Sequence, residues 1–186
     1  AVEKLASRDL KVIHHPVNRG KGAAIRTGIE AATGDVIVIQ DADLEYDPAD
    51  FPRLLTPITE GQASVVYGVR SLDSQKLVMR LANRFVTRVT KLLYGQRLQD
   101  METCYKMMDR RLALSLDLEC HGFDVEAEIT AKVLRTGYRI HEIPISYSAR
   151  YDDKKLSPVD GLPTVRALWR YRRWRCNDIW NSSPTK

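Results

Sequence analysis

The chain has 186 residues and a mass of 21.2 kDa, which suits a single domain with a real core and is too short for two independent cores. Hydrophobic residues make up 44% and charged residues 28%, a balance that excludes disordered, collagen-like and low-complexity chains. The net charge of +5 is unevenly distributed, with six cations and no acid between Lys76 and Arg97 and five arginines and no acid between Thr164 and Cys176, which indicates a specific anionic partner.

The predicted elements alternate between helix and strand. A helix is expected over Ala1–Ser7, a short strand over Leu10–His14, and a helix over Ala23–Ala32. The apolar run Val36–Ile39 predicts a strand that is buried on both faces of a parallel sheet, and it leads directly into Asp41.

The second part of the chain continues this alternation. Helices are predicted from Asp47 and Pro48 onward and over Lys76–Tyr94, Asp109–Leu118, Asp124–Arg135 and Val159–Cys176, and strands over Ala63–Tyr67 and Tyr138–Tyr147. The pattern predicts an α/β fold with a mainly parallel sheet flanked by helices, in one domain over 1–186. Segments 76–97 and 159–176 are predicted to form amphipathic basic helices.

Two local motifs point to phosphate chemistry. Asp41 and Asp43, followed by Glu45, end a buried strand, and paired carboxylates there are typical of Mg²⁺ or Mn²⁺ ligands that neutralise a diphosphate. The loop 18–22, Asn-Arg-Gly-Lys-Gly, precedes a helix and offers backbone N–H groups and Lys21 to a phosphate. Taken singly, each motif has a plainer interpretation, as a solvated acidic turn and a flexible turn.

Several ordered motifs together resemble the family 2 glycosyltransferases, in particular the branch related to dolichol-phosphate mannosyltransferase and polyprenyl-phosphate glycosyltransferases. The motifs are 18–28, Gly34-Asp35, 41–48, Tyr67-Gly-Val-Arg70, 100–106, 122–132, 137–147, Lys154-Lys155 and Asp160-Gly161. The resemblance implies a GT-A fold, a nucleotide-sugar donor such as GDP-mannose or a UDP-hexose, and Mg²⁺ or Mn²⁺. It also implies a dolichyl or polyprenyl phosphate acceptor at the cytoplasmic face of the membrane, where the protein would bind peripherally.

The resemblance also assigns roles by position. Asp41 and Asp43, with Glu45, correspond to the metal ligands, and Asp43, Asp100 and Arg84 to catalytic positions. The residues assigned to substrate binding are Lys21, Arg26, Arg70, Arg84, Lys154 and Lys155. A phosphate acceptor is already ionised at neutral pH, so Asp100 is expected to position groups, unless the acceptor is a sugar hydroxyl and needs a base. A helix cap is the alternative for Asp100, and Glu126 is either in the site or on a solvated helix face.

The chain departs from the family at its front, because the strands that hold the base and ribose in relatives are absent. We therefore expect an N-terminally truncated domain with an unpaired sheet edge and weak, unselective binding of UDP and GDP. The alternative is that the chain by itself is inactive. Pro158 stands where relatives usually have an aromatic residue, which weakens the expected lipid contact of the loop at Lys154 and Lys155.

The remaining features narrow the choice of function. The longest apolar run falls short of the roughly 20 residues that a membrane span needs. Three cysteines without CxxC spacing and four scattered histidines indicate neither a disulfide framework nor a zinc site, and a reducing cytoplasm is expected. Two alternatives stay open: a glycosyltransferase with a soluble sugar or polysaccharide acceptor, and, from another class, a basic nucleic-acid-binding module, against which the acidic motif argues.

Overall fold

A computed structural model describes residues 10–71, 77–148 and 161–176. The helices are α1 Lys21–Ala31, α2 Phe51–Thr59, α3 Leu77–Tyr94, α4 Arg110–Ser115, α5 Val125–Arg135 and α6 Gly161–Tyr171. The strands are β1 Val36–Val38, β2 Val65–Arg70, β3 Lys106–Asp109 and β4 His141–Ile145. The alternation of helices and strands that the sequence predicts is confirmed.

The four strands form one sheet in the order β1-β3-β2-β4. Strand β3 is antiparallel to both β1 and β2, whereas β4 pairs with β2 in parallel. Three strands therefore share one direction, and β3 lies between two of them in the opposite direction. Two of the three described strand pairings are antiparallel as a result, so the sheet is mixed. Strand β1 lies at one edge of the sheet as far as the described residues show.

Each face of the sheet packs against its own hydrophobic core, and successive side chains of the central strand β2 belong to the two cores in turn. Val65 and Tyr67 belong to a large core with helices α3, α5 and α6, whereas Val66 belongs to a smaller core with Leu54 of α2. All four of these side chains are fully buried. Successive side chains of a strand point to opposite faces, so a continuous apolar run is what a strand buried on both faces needs.

The structure corrects two sequence predictions. Residues 10–14 form no strand. The sheet contains a further strand, β3, which the sequence pattern does not predict because Lys106–Asp109 carries a charge at each end. The helix predicted from Asp47 begins as a 3₁₀ turn over Pro48–Asp50, where the Asp47 carboxylate accepts a hydrogen bond of 2.9 Å from Ala49 N. The predicted helix over Ala1–Ser7 and the residues Lys154, Lys155 and Pro158 lie outside the described residues.

Candidate functional site

The turn after β1 carries the two aspartates of the acidic motif. Asp41 and Asp43 are half-buried, and Asp43 Oδ1 accepts a hydrogen bond of 3.1 Å from Glu45 N. Between them and Glu45 the backbone of Leu44 adopts a left-handed conformation with φ of 60°, although Leu44 is 83% exposed. Such a conformation is uncommon for a branched residue and occurs at sites where the fold imposes it.

The glycine-rich loop places Lys21 directly beside Asp41. Lys21 Nζ lies 2.8 Å from Asp41 Oδ2 and 2.8 Å from Glu126 Oε1. Burial by itself lowers the pKa of Lys21, but the attraction of Glu126 and Asp41 outweighs it, so the pKa is raised above its ordinary value. Lys21 therefore keeps its charge and lies where an anionic ligand would approach Asp41.

Glycines are required in this loop because another loop passes very close to it. Gly20 has φ of +86°, and a Cβ on Gly20 or Gly22 would lie 2.2 Å from the carbonyl oxygen of His121 or Cys120, respectively. Gly22 N donates a hydrogen bond of 2.8 Å to His121 O. The contact fixes the position of Lys21, which lies between the two glycines.

A buried ion pair extends the site inward from Lys21. Glu126 is buried, and its second oxygen lies 2.6 Å from Nζ of Lys106, which is fully buried. Burial raises the pKa of Glu126, but Lys106 and Lys21 lower it more strongly, so the carboxylate stays ionised. Glu126 is thus buried beside Lys21 and does not lie on a solvated helix face, and it connects Lys21 to Lys106, to which the sequence assigned no role.

Arg70 and Asp100 form a second buried ion pair. Arg70 Nε and Nη2 donate hydrogen bonds of 2.6 and 2.9 Å to the two oxygens of Asp100, and Arg70 N donates a third of 3.3 Å. Asp100 is fully buried, and the pair keeps the pKa of Arg70 raised although burial opposes this. Asp100 is therefore engaged as an anchor of Arg70, not as a helix cap.

Other predicted site residues have different neighbours. Glu45 is buried and accepts a hydrogen bond of 2.9 Å from the Tyr147 hydroxyl. Arg26 donates hydrogen bonds to the carbonyl of Leu118 at 2.5 Å and lies 3.2 Å from His121 Nδ1, which ties α1 to the loop before α5. Arg84 is exposed on α3.

The donor set of the acidic turn fits a hard divalent cation. Asp41 and Asp43 supply carboxylate oxygens, the ligands that Mg²⁺ and Mn²⁺ prefer, and Mg²⁺ usually takes one or two carboxylates with water and substrate phosphate. Within the described ranges no three His, Cys, Asp or Glu side chains are grouped so that they could hold a metal by themselves. The assignment of Asp41, Asp43 and Glu45 as metal ligands stays a prediction.

A cleft of about 530 Å³ opens beside this turn, between α1 and β1. Lys21 and Asp41 lie at its polar end, and Ile25, Ile29 and Ile37 line its apolar part. The Cys104 thiol approaches the base of the turn, 3.4 Å from Asp41 N, and burial raises its pKa to about 12, so the thiol stays protonated. The arrangement can bind an anion and a cation side by side at one end of a partly apolar cleft.

Comparisons with known proteins agree on one family. The family described as glycosyl transferase family 2 matches residues 1–115. Glycosyltransferase AglJ of Haloferax volcanii is 30% identical over 167 residues, which are 86% of this chain and 54% of that protein. Undecaprenyl-phosphate 4-deoxy-4-formamido-L-arabinose transferase of Klebsiella pneumoniae is 30% identical over 141 residues, 75% of this chain and 42% of that protein.

The solved structures give the same fold. Glucosyl-3-phosphoglycerate synthase from Mycobacterium tuberculosis, in complex with Mn²⁺ and UDP-glucose, superimposes with a TM-score of 0.64 at 22% identity, over 85% of this chain and 56% of that one. The chain thus spans about half the length of the curated relatives it matches.

Proposed function

We propose, from the premise that this chain belongs to glycosyl transferase family 2, that its site transfers a hexose from a nucleotide-sugar to a polyprenyl or dolichyl phosphate, with a divalent metal. The observation that carries the proposal is the contact of 2.8 Å between Lys21 and Asp41, next to Asp43 at the end of β1. A cation and a pair of carboxylates side by side suit a metal-bound diphosphate. The undecaprenyl-phosphate transferase among the relatives supports a lipid-phosphate acceptor.

The bound metal, held by Asp41 and Asp43, would offset the charge that develops on the departing nucleoside diphosphate. Lys21 keeps its proton and lies beside Asp41, so it binds diphosphate oxygens as a fixed positive charge. Glu126 holds Lys21 in place from the buried side. The role of these three side chains is to bind and orient the diphosphate for an in-line displacement with inversion at the anomeric carbon.

Asp100 acts in this proposal as a positioning residue. Both of its oxygens accept hydrogen bonds from Arg70, and it is fully buried, so it does not take a proton from the acceptor. A phosphate acceptor needs no strong base, because it is ionised at neutral pH. Arg70 is then oriented by Asp100, and this geometry favours a phosphate acceptor over a sugar hydroxyl.

The surface of α3 supports peripheral binding at an anionic membrane face. Leu81, Phe85 and Leu92 are 54%, 58% and 85% exposed, although α3 also contributes Val86 to the core. Arg84 and Arg88 are exposed on the same helix. Among the described helices none is long and apolar enough to cross a membrane. An amphipathic helix with exposed apolar and basic residues suits the interface of an anionic leaflet.

Transfer is tested by incubating the chain with Mn²⁺, undecaprenyl phosphate and radiolabelled UDP-glucose or GDP-mannose. We expect label in the organic phase after lipid extraction, and none when the lipid is left out. Label that appears only in water-soluble glycans, after addition of soluble acceptors, would contradict the lipid acceptor. Absence of transfer to any acceptor, together with absence of nucleotide binding, would contradict the proposed function.

A further inference from the structure

Tyr147 contacts two parts of the candidate site that lie far apart along the chain. It follows two residues after the end of β4, where Ile145 pairs with Arg70 of β2. Its hydroxyl donates a hydrogen bond of 2.9 Å to Glu45 in the acidic turn, residues 41–45, and its ring centroid lies 5.3 Å from Cζ of Arg70. The proposed transfer uses both the acidic turn and Arg70, and Tyr147 touches both.

Backbone and ring contacts hold Tyr147 against the acidic turn. Tyr46 and Tyr147 form an antiparallel bridge, and Ser148 N donates a hydrogen bond of 2.9 Å to Glu45 O. The rings of Tyr46 and Tyr147 meet edge to face, with their centroids 5.2 Å apart. A tyrosine side chain has only two rotatable bonds, so these contacts fix the position of its hydroxyl at a small entropic cost.

The Tyr147 hydroxyl is a donor at neutral pH and orients the Glu45 carboxylate. Burial, together with the hydrogen bond to Glu45, raises the pKa of Tyr147 to about 12, and the charge of Arg70 opposes this increase. Glu45 is itself buried, so its carboxylate requires hydrogen-bond donors. Partners of this kind fix the orientation of carboxylates in metal sites.

The Tyr147 ring holds Arg70 by a second kind of contact. Asp100 accepts hydrogen bonds from Nε and Nη2 of Arg70, and the guanidinium also lies over the ring of Tyr147. A guanidinium is attracted to the negative face of an aromatic ring. Tyr147 thus connects the cation Arg70 to the turn that carries Asp41 and Asp43.

We propose that Tyr147 is a positioning residue, whose hydroxyl orients Glu45 and the acidic turn for the divalent metal and whose ring keeps Arg70 at a fixed distance from that turn. This inference rests on the proposed function, since it assumes that a metal-bound diphosphate occupies the turn. Tyr147 acts through Glu45 and Arg70 and does not touch the reacting atoms. Misplacement of such groups by about 1 Å costs on the order of 100-fold in rate, so a rigid connection between them is useful.

The test is calorimetry of UDP and GDP binding by the full chain at a series of Mn²⁺ concentrations. Tyr147→Phe removes the hydroxyl and keeps the ring. For the nucleotide that binds more tightly, it should raise the Mn²⁺ concentration at half-maximal binding, the Mn²⁺ midpoint, by about tenfold or more. The affinity for the nucleotide at saturating Mn²⁺ should stay nearly unchanged. A merely structural loss would reduce the fraction of binding-competent protein without moving the Mn²⁺ midpoint.

Two further variants separate the hydroxyl from the ring. In a Glu45→Ala background, Tyr147→Phe should cause little further change in the Mn²⁺ midpoint, because the hydroxyl acts through Glu45. Tyr147→Leu also removes the ring beside Arg70, so it should weaken nucleotide binding by about two- to fivefold even at saturating Mn²⁺.

Tyr94→Phe is the matched control. The Tyr94 hydroxyl donates a hydrogen bond of 2.5 Å to Leu168 O, between α3 and α6, so this variant loses a comparable bond outside the acidic turn. It should leave the Mn²⁺ midpoint unchanged, and melting curves of both Phe variants establish that each is folded.

Three results would overturn the inference and leave the proposed function intact: an unchanged Mn²⁺ midpoint in Tyr147→Phe, an equal shift in Tyr94→Phe, or additive effects of Tyr147→Phe and Glu45→Ala. Failure of the wild type to bind either nucleotide, or binding that does not respond to Mn²⁺, would contradict the proposed function, and the inference with it.

Discussion

Replacement of Asp100 by Asn tests the buried ion pair with Arg70. Asp100 is fully buried and accepts three hydrogen bonds from Arg70, at 2.6, 2.9 and 3.3 Å. Asn has nearly the same shape, but its amide group would turn a donor toward the guanidinium, and Arg70 would lose its counter-charge. Breaking a buried pair by removing one partner costs about 3–5 kcal/mol. At roughly 2–4 °C per kcal/mol for a domain of this size, the melting temperature should fall by roughly 6–20 °C.

A double-mutant cycle measured by urea unfolding separates the pair from its surroundings. Arg70→Met should destabilise by a similar amount, since it leaves Asp100 charged and buried. The double variant Arg70→Met with Asp100→Asn should be markedly more stable than the sum of the single losses predicts, with a coupling of about 0.5–3 kcal/mol. Additive losses, or an unchanged unfolding midpoint in Asp100→Asn, would refute the interpretation that the two side chains form one stabilising unit.

The same variants test the positioning role. If Asp100 acts by orienting Arg70, Asp100→Asn and Arg70→Lys should lower the transfer rate to a similar extent, because Lys retains the charge of Arg70 but not its bidentate fork. The pH–rate profile of Asp100→Asn should keep the shape of the wild-type profile. Loss of one limb of the profile would instead identify Asp100 as a base.

Four further outcomes are expected. Asp43→Asn should remove most of the transfer activity and the response to added Mn²⁺, whereas the control Asp35→Asn, just before β1, should retain both. Full activity in excess EDTA would contradict the proposal that transfer needs a divalent metal. Gly22→Ala should lower the free energy of unfolding, since the new Cβ would lie 2.2 Å from a backbone carbonyl oxygen. Gly28→Ala in the same helix places its Cβ in open space and should raise the free energy of unfolding by up to about 1 kcal/mol. Burial raises the pKa of Glu128, but Lys132 and two backbone N–H groups lower it more, so the pKa lies below its ordinary value in the folded protein. The contribution of Glu128 to stability is therefore present above pH 4.5 and is lost as the pH falls below that value. The difference in free energy of unfolding between wild type and Glu128→Gln should shrink in acid. The chain should co-sediment with anionic liposomes at low salt but not at high salt, because the basic residues of α3 bind the anionic surface. Equal co-sedimentation with neutral and anionic vesicles would contradict this electrostatic binding.

The fold class and the family could be predicted from sequence because they depend on local patterns. The apolar run 36–39 correctly predicts a strand with Asp41 shortly after it, and Asp47 with Pro48 predicts a helix start. The prediction that this strand is buried on both faces of a parallel sheet is wrong, because β1 is half-buried and pairs with the antiparallel strand β3. Strand β3 could not be predicted, because its charged ends hide the strand pattern. Lys106 at its start is fully buried, and only the sheet shows that its ammonium group reaches acceptors there.

The sequence by itself determined which residues could carry the chemistry, and the tertiary structure decided which of them act together. Glu126 is 105 positions from Lys21 and 20 from Lys106 along the chain, yet it forms ion pairs with both, because the fold brings α5 close to the start of α1 and to the start of β3 at this point. The pairing of Asp100 with Arg70 and the turn of Glu45 toward Tyr147 likewise depend on contacts between distant segments. Ion pairs and hydrogen bonds act over a few ångströms in space, so separation along the chain carries little information about them.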